Sequence, residues 1–249
     1  MNRIKFFAAA TALLMAWTAS LPTQAQKREH RSTWMSGYIQ DWPTGKITAG
    51  NAEQQKKYCL ANLDTLRNNN FTTVYFHART MCDAFYDSKY EPWSSYIVAK
   101  RGQTPAFDPM KFIVEEGHKR GIEVYAWLNP YRYLNSAYYE TWADSGQSSP
   151  LNYEESHPDW LLKWTTDERT WTILNPAKEE VKQRIVDVIA DIVDKYDVDG
   201  IVFDDYFYQD GLPLSYDAAD YNAYTAGGGT LSQADWRREN INDMVRRVN

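Results

Sequence analysis

The chain has 249 residues and a formal net charge of -6 at pH 7, a balance that excludes the strongly basic class of nucleic-acid-binding domains. Apolar residues make up 43% of the sequence, which is sufficient for a sizeable hydrophobic core. Aromatic residues make up 15%, with 10 Trp and 18 Tyr. Most of these rings are expected in the core, although Trp and Tyr also offer flat apolar faces with a polar edge, which suit sugar rings.

Residues 1–25 have the pattern of a secretory signal peptide. Arg3 and Lys5 give a basic start, residues 6–21 are apolar, and Thr23-Gln24-Ala25 provides an exit ending in a small residue. An uncleaved membrane anchor is the alternative, although the apolar part is short for one. Residues 26–249 contain no second apolar stretch long enough to span a bilayer. We therefore expect a secreted or periplasmic domain with no stable membrane insertion after signal cleavage.

Cys59 and Cys82 are the only cysteines in the sequence. They could pair in an oxidising compartment, but the sequence alone leaves the pairing open. The four His are scattered without the spacing of zinc ligands. No metal or other cofactor is therefore expected.

Hydrophobic periodicity predicts four strand–helix units in chain order. The strands are predicted over residues 32–39, 71–79 and 122–128, and around Ile201-Val202-Phe203. The helices are predicted over residues 51–69, from the Asp108 cap to about residue 120, from Pro176 onwards, and from a cap near Ser232. The predicted buried stripe of the third helix is Val181, Ile185, Val188, Ile189, Ile192 and Val193.

This alternation predicts an α/β fold with a parallel sheet and helices outside it. Long segments follow the strands and short turns follow the helices, as in a (β/α)8 TIM-type barrel whose site lies at the strand C-terminal ends. A doubly wound open sheet is the rival, although no glycine-rich phosphate loop follows the first strand. Residues 133–175 are too long for a plain connection and are predicted to form a functional insertion above the strand ends.

Only four strand–helix units are recognisable, whereas a complete barrel needs eight. Either the fold is a four-unit open sheet, or residues 26–249 are the N-terminal part of a truncated barrel. We favour the truncated barrel.

An acid pair, Asp204-Asp205, directly follows the fourth predicted strand within the run from Asp199 to Tyr208. Carboxylates at the end of a buried strand are costly to desolvate, so they need a structural or chemical reason. Since successive strand residues point in opposite directions, one carboxylate would face the barrel axis and the other would support it. The alternative is that the pair caps a turn or holds an arginine.

Further candidates follow the other strands. The polar residues at the ends of the second and third strands are Arg79, Asn129, Tyr131 and Arg132. Arginine can orient a carboxylate or hold an acidic sugar, and asparagine can bond to a sugar hydroxyl, with a loop-stabilising hydrogen bond as the alternative for each. The candidate stacking platforms, with core packing as the alternative, are Trp42, Trp93, Tyr206 and Tyr208.

Three more titratable residues lie in these regions. His77 stands inside the second predicted strand and is expected to be a buried, satisfied histidine. Asp41 and Asp83 are loop acids to which the sequence assigns no role.

Several phrases occur in order along the chain: Trp34 through Asp41-Trp42-Pro43, Tyr90-Glu91-Pro92-Trp93-Ser94, Ala126-Trp127-Leu128-Asn129-Pro130-Tyr131-Arg132, His157-Pro158-Asp159-Trp160-Leu161, Leu174-Asn175-Pro176 and the run around the acid pair. Together they resemble the family-10-like glycosyl hydrolases of bacteria. The resemblance covers nearly the whole chain after the signal peptide. It implies a TIM-type barrel, an exported location and hydrolysis of glycosidic bonds in a polysaccharide, with bacterial cell-wall glycan (peptidoglycan) as a candidate substrate.

Glycosidase chemistry then suggests roles for the acid pair. Two carboxyl groups flank the scissile bond, and one of them is kept protonated as the general acid. We expect Asp204 or Asp205 to supply one of the two, with the acid role preferred, and a later strand to supply the other. The chain alone is therefore expected to be inactive and poorly stable, with half a barrel wall exposed. The alternatives are a non-catalytic glycan-binding domain and a metal-dependent hydrolase that uses the acid pair as ligands.

Overall fold

The structure, a computed structural model, describes residues 29–37, 41–42, 51–135, 153–165, 170–204 and 207–249. The chain divides into residues 1–30 and residues 31–249, and all the elements described below belong to the second unit. The predicted signal peptide lies outside the described residues. Within the described ranges, no helix combines the length and the apolar character that crossing a membrane requires.

Strands and helices alternate along the described chain. The strands are Ser32–Met35 (β1), Thr73–Arg79 (β2), Glu123–Leu128 (β3), Arg132–Asn135 (β4), Leu161–Thr165 (β5), Thr170–Leu174 (β6) and Gly200–Phe203 (β7). The helices are Ala52–Asn68 (α1), Pro109–Lys119 (α2), Tyr153–Ser156 (α3), Glu179–Lys195 (α4), Ala218–Ala226 (α5) and Gln233–Val248 (α6). The four predicted strand–helix units are confirmed, whereas the short helices α3 and α5 were not predicted.

The central sheet is parallel, with the strand order β1-β2-β3-β7. Neighbouring strands in this sheet come from consecutive strand–helix units. This order is expected for a sheet that curves in one direction. The predicted α/β class with a parallel sheet is therefore confirmed.

Local sequence explains where several helices begin. Asp108 accepts a hydrogen bond from the backbone N–H of Lys111 at 3.1 Å, and Pro109 occupies the first turn of α2. Ser232 caps α6 by accepting from the N–H of Asp235 at 3.2 Å. Both predicted caps are confirmed. Helix α4 begins three residues later than the predicted start at Pro176, because Asn175 first forms a turn whose carbonyl accepts from the N–H of Lys178 at 3.1 Å.

One face of the parallel sheet packs against the helices and forms the core. Val74, Phe76 and Ala78 of β2 are fully buried there, together with residues of α1, α2 and α4. The predicted stripe of α4 is buried from Val181 to Ile192, but Val193 is 55% exposed. Its inclusion in the stripe was wrong, because Val193 lies about 100° around the helix from its predecessor and beyond the buried face.

The opposite face of the parallel sheet carries a row of aromatic rings. Tyr75 lies between Trp34 and Tyr125, with ring centroids 4.7 and 5.6 Å away, and Trp127 stacks on His77 at 3.7 Å. Trp34 is 44% exposed. Parallel sheets are usually covered on both faces, whereas Trp34 at the end of this row is partly exposed.

Part of the predicted insertion forms a second, antiparallel sheet with the order β4-β6-β5. It begins directly after β3, so it stands at the C-terminal edge of the parallel sheet. Trp164 and Trp171 face each other in register on β5 and β6. Length predicted the insertion, but the sequence reading did not predict its strands.

Candidate functional site

The residues that follow β2, β3 and β7 lie side by side at one edge of the parallel sheet. The backbone N–H of Asp204 donates to the carbonyl of Leu128 at 3.2 Å, so Asp204 continues the pairing of β7 with β3. The N–H of Asn129 donates in the same way to the carbonyl of Arg79 at 3.0 Å. This C-terminal edge is the place where α/β folds present functional side chains.

Asp204 is exposed, and Asp205 and Tyr206 lie outside the described residues. The expectation that β7 is a buried strand was wrong, since its four residues are only half-buried at the edge of the sheet. The desolvation argument therefore does not apply to Asp204 in this chain. By alternation from Val202, which pairs with Trp127, the Asp204 side chain belongs to the aromatic side of the sheet.

Arg79 is fully engaged inside the protein. Its Nε and Nη2 atoms donate to the Glu91 carboxylate at 2.6–2.8 Å, and the two side chains are each only 1% exposed. Nη1 donates to the carbonyls of Asn129 and Pro130 at 2.5 and 2.9 Å, and Nη2 also donates to Cys82 Sγ at 2.9 Å. A guanidinium has five N–H donors, so none remains for a substrate. The loop-stabilising alternative describes Arg79 in this structure.

A shift in strand pairing explains this placement. The register of β2 against β3 shifts between His77 and Arg79. Such a bulge turns the side chain that follows it, so Arg79 leaves the aromatic side on which simple alternation would place it. Glu91, its partner, was not a predicted site residue; its position in the Tyr90-Glu91-Pro92-Trp93 phrase was the available signal.

The segment after β3 carries three of the predicted polar side chains. Asn129 is buried and its amide donates to the carbonyl of Thr80 at 3.3 Å. Tyr131 is fully buried with its ring 6.2 Å from that of Phe207, and burial raises the pKa of its hydroxyl. Arg132 is half-buried at the start of β4. Among these three, Arg132 has the most accessible position.

His77 is the buried histidine that the sequence predicted. It is fully buried, and burial together with the nearby charge of Arg132 lowers its pKa from 6.5 to about 3, although its hydrogen bonds with Asn129 and the Arg79 backbone act in the opposite direction. The ring therefore remains neutral at any physiological pH. It stacks on Trp127 and cannot act as a charged group in the folded protein.

The described candidates for sugar stacking occupy different environments. Trp42 is fully buried against Phe76 and Phe85, with ring centroids 5.6 and 6.0 Å away, which is the core-packing alternative. Trp93 is half-buried and packs against the same core. Tyr208 is half-buried and packs against the smaller cluster beside β5. Trp42 therefore has no exposed face to offer a ligand.

The loop acids and the cysteines have structural surroundings. Asp83 is buried and accepts from the Thr80 hydroxyl at 2.5 Å and from the N–H of Met81 at 3.0 Å. Asp41 is exposed and accepts from the N–H of Ser36, which follows β1. Cys59 and Cys82 are free and buried, and burial raises the pKa of each thiol to about 12. Within the described ranges, no cluster of three or more His, Cys, Asp or Glu could hold a metal ion.

Comparison with known families identifies the class to which this fold and site belong. The profile of the family described as Glycosyl hydrolase-like 10 matches residues 29–249. The chain belongs to this family, and the resemblance seen in the sequence phrases is confirmed.

Two curated relatives carry the name of glycosyl hydrolase. The chain is 33% identical over 237 residues to "Glycosyl hydrolase DigH" of Escherichia coli (strain K12), covering 91% of this chain and 52% of the relative. It is 33% identical over 226 residues to "Glycosyl hydrolase YngK" of Bacillus subtilis (strain 168), covering 89% of this chain and 42% of the relative. The chain thus spans about half the length of the curated relatives it matches.

A solved structure supports the fold alone. The alpha-L-fucosidase isoenzyme 2 from Paenibacillus thiaminolyticus superposes with a TM-score of 0.52 at 14% sequence identity, covering 88% of this chain and 30% of that chain. The predicted α/β architecture is therefore shared with a glycosidase.

Proposed function

We propose that the chain is part of an exported glycoside hydrolase that cleaves O-glycosidic bonds of a polysaccharide by carboxylate acid/base catalysis. The observation that carries this proposal is membership of a glycosyl hydrolase-like family combined with an exposed carboxylate, Asp204, at the C-terminal edge of a parallel sheet. Peptidoglycan is the proposed substrate.

We further propose that the four parallel strands are the first half of a (β/α)8 barrel. The aromatic row on one sheet face supports this, because it would line the interior of a closed barrel rather than face water. The length of the curated relatives, about twice that of this chain, leaves room for the remaining units. On this proposal the second catalytic carboxylate comes from a later strand, and the chain alone is inactive.

The site geometry suggests a division of roles. Asp204 belongs to the side of the sheet that would face the barrel axis, where a substrate would lie. It is the proposed general acid, and Asp205 is the proposed supporting carboxylate. Asn129 and Arg132 follow β3 next to it and are proposed to bind sugar hydroxyls or an acidic group.

The test uses the complete reading frame that encodes this chain, with purified peptidoglycan and soluble glycan oligosaccharides as substrates. Asp204→Asn is expected to lower kcat by at least about 100-fold, because a positioned general acid contributes about that much or more. Asp210→Asn is the matched control, since Asp210 is an exposed acid of the loop after β7. Release of reducing ends measures turnover, and oligosaccharide titration measures binding.

Each outcome separates the candidate functions. Loss of turnover with retained binding supports the enzyme, whereas binding without any turnover in the unsubstituted protein supports a glycan-binding domain. Loss of activity after exhaustive chelation, restored by a divalent metal, supports a metal-dependent hydrolase instead. Hydrolysis by the 249-residue chain at the rate of the complete protein would refute the half-barrel proposal.

Export is proposed from residues 1–25 alone. Expression in a bacterium followed by fractionation and N-terminal sequencing is expected to find a periplasmic or secreted product that begins after Ala25. An intact N-terminus in the membrane fraction would support the uncleaved anchor.

A further inference from the structure

We propose that Arg79, Cys82 and Glu91 form a positioning unit that holds the segment after β3 in place. That segment, residues 129–132, carries three polar side chains of the candidate site. The inference rests on the proposed function for its catalytic consequence, but the structural part can be tested without any turnover.

The carbonyl groups of the segment are held one after another. Arg79 Nη1 donates to the carbonyls of Asn129 and Pro130 at 2.5 and 2.9 Å, and the thiol of Cys82 donates to that of Arg132 at 3.5 Å. The carbonyl between them, that of Tyr131, accepts from the N–H of Leu174 in β6 at 2.8 Å. Because buried carbonyls require donors, these contacts determine the path of the chain out of β3.

Glu91 in turn holds the guanidinium of Arg79 in one orientation. Its two oxygens accept from Nε and Nη2 in a side-by-side geometry that a lysine cannot reproduce. Because both side chains are almost completely buried, the pair has little screening by solvent and little freedom to rearrange. The free thiol of Cys82 accepts from the remaining Nη2 hydrogen, which gives this cysteine a structural role in place of a disulfide.

The loop that carries Glu91 is itself anchored to the helix layer. Within this loop, the N–H of Asp87 donates to the Tyr196 hydroxyl at 2.9 Å, and the N–H of Lys89 donates to Asp191 at 3.0 Å. Asp191 lies buried in α4, and Tyr196 follows the same helix. The positioning unit therefore connects helix α4 to the segment that follows β3, next to Asp204.

The consequence for a hydrolase is geometric. Arg79 has no donor left for a substrate, so it would act through residues 129–132 rather than by contact. Displacement of a catalytic constellation by about 1 Å can lower the rate by about 100-fold. Arg79→Lys keeps the positive charge but loses the bidentate geometry of the guanidinium. It is therefore expected to lower kcat by about 100-fold, with a smaller change in KM.

A second arginine in the chain provides a matched control. Arg237 donates from Nε and Nη2 to the two carboxylate oxygens of the buried Asp217 at 2.6–2.7 Å. It also donates to the carbonyls of Leu212 and Pro213 at 2.9 and 3.1 Å. Like Arg79, it pairs with a buried carboxylate and two backbone carbonyls, but it lacks a thiol contact, is 13% exposed and holds a different loop. Arg237→Lys thus controls for the general effect of losing a bidentate guanidinium–carboxylate contact.

Amide hydrogen exchange of the complete protein is the structural readout. The informative amides are that of Asn129, which donates from the segment to the Arg79 carbonyl, and that of Leu174, which donates to the Tyr131 carbonyl. Arg79→Lys is expected to accelerate their exchange selectively, while Arg237→Lys accelerates exchange in residues 212–217 and leaves kcat unchanged. If Arg79→Lys does not fold, Glu91→Asp keeps the charge, withdraws it by one methylene and is expected to give the same pattern with smaller amplitude.

The possible outcomes distinguish the structural inference about the positioning unit from its proposed effect on catalysis. Unchanged exchange at Asn129 and Leu174 in a folded Arg79→Lys or Glu91→Asp variant would overturn the positioning unit, as would uniform acceleration across the whole protein. Selective acceleration in a protein that hydrolyses no glycan would support the positioning unit and count against the proposed function alone. Selective acceleration with wild-type kcat would refute the catalytic consequence.

Discussion

His77 is expected to make the folded protein sensitive to mild acid. It is fully buried in β2, stacked on Trp127 with ring centroids 3.7 Å apart, and burial and the charge of Arg132 lower its pKa from 6.5 to about 3. The folded state therefore keeps His77 neutral where the unfolded chain protonates it. His77→Phe removes the titration but retains a ring that can stack on Trp127.

Proton linkage gives the direction and the magnitude of the change in the free energy of unfolding with pH. Because the pKa of His77 is depressed in the folded state, the stability that depends on its neutral form is fully present above pH 6.5. This stability is lost as the pH falls from 6.5 towards 3. At pH 5 the unfolded chain lies about 1.5 pH units below its histidine pKa, so the free energy of unfolding falls by about 2 kcal/mol. For a chain of this size the loss corresponds to a decrease in Tm of about 4 to 8 °C.

The assay is chemical denaturation of the wild type and of His77→Phe at pH 7 and pH 5. This window lies above the ordinary pKa of the carboxylates, so their contribution changes little. The pH-dependent loss is expected to shrink by about 2 kcal/mol in His77→Phe. The matched control is His157→Phe, which replaces a second imidazole stacked on a tryptophan, Trp160, at 4.0 Å. An equal loss of stability in the wild type and in His77→Phe, or an equally reduced loss in His157→Phe, would show that His77 is not the source of the acid sensitivity.

Three further substitutions test the packing of the fold. Gly200→Ala is expected to lower the free energy of unfolding by about 1 to 3 kcal/mol, because the new Cβ would lie 2.4 Å from Cε1 of Tyr125; a double-mutant cycle with Tyr125→Ala should recover most of that loss. Glu91→Gln leaves the buried charge of Arg79 without its partner, and denaturation curves are expected to show a loss of about 3 to 5 kcal/mol. Ser232→Ala removes the N-cap of α6 and is expected to cost about 1 kcal/mol in the same measurement, with Ser232→Thr as the retained-cap control.

Much of the fold was predictable because its signals are local. The caps at Asp108 and Ser232, the periodicity of α1, α2 and α4, and the β-rich runs of β2 and β3 each depend on residues within a few positions of one another. Four such units in alternation also specify a parallel sheet, because right-handed crossovers leave few other arrangements. Strand β4 was missed because its partner β6 lies some forty residues later, whereas β5 and β6 form a local hairpin that the sequence analysis did not recognise.

The order of the four strand–helix units, the family and the edge of the sheet at which functional residues gather could all be predicted from the sequence. The contacts of the side chains at that edge, in contrast, became known from the three-dimensional structure. Arg79 was predicted to bind substrate, but a register shift after His77 turns it into a buried contact with Glu91. Asp204 was predicted at the end of a buried strand, but β7 is an edge strand and leaves it exposed. Periodicity encodes which face of an element a residue occupies, whereas its partners depend on bulges and on loops distant in sequence.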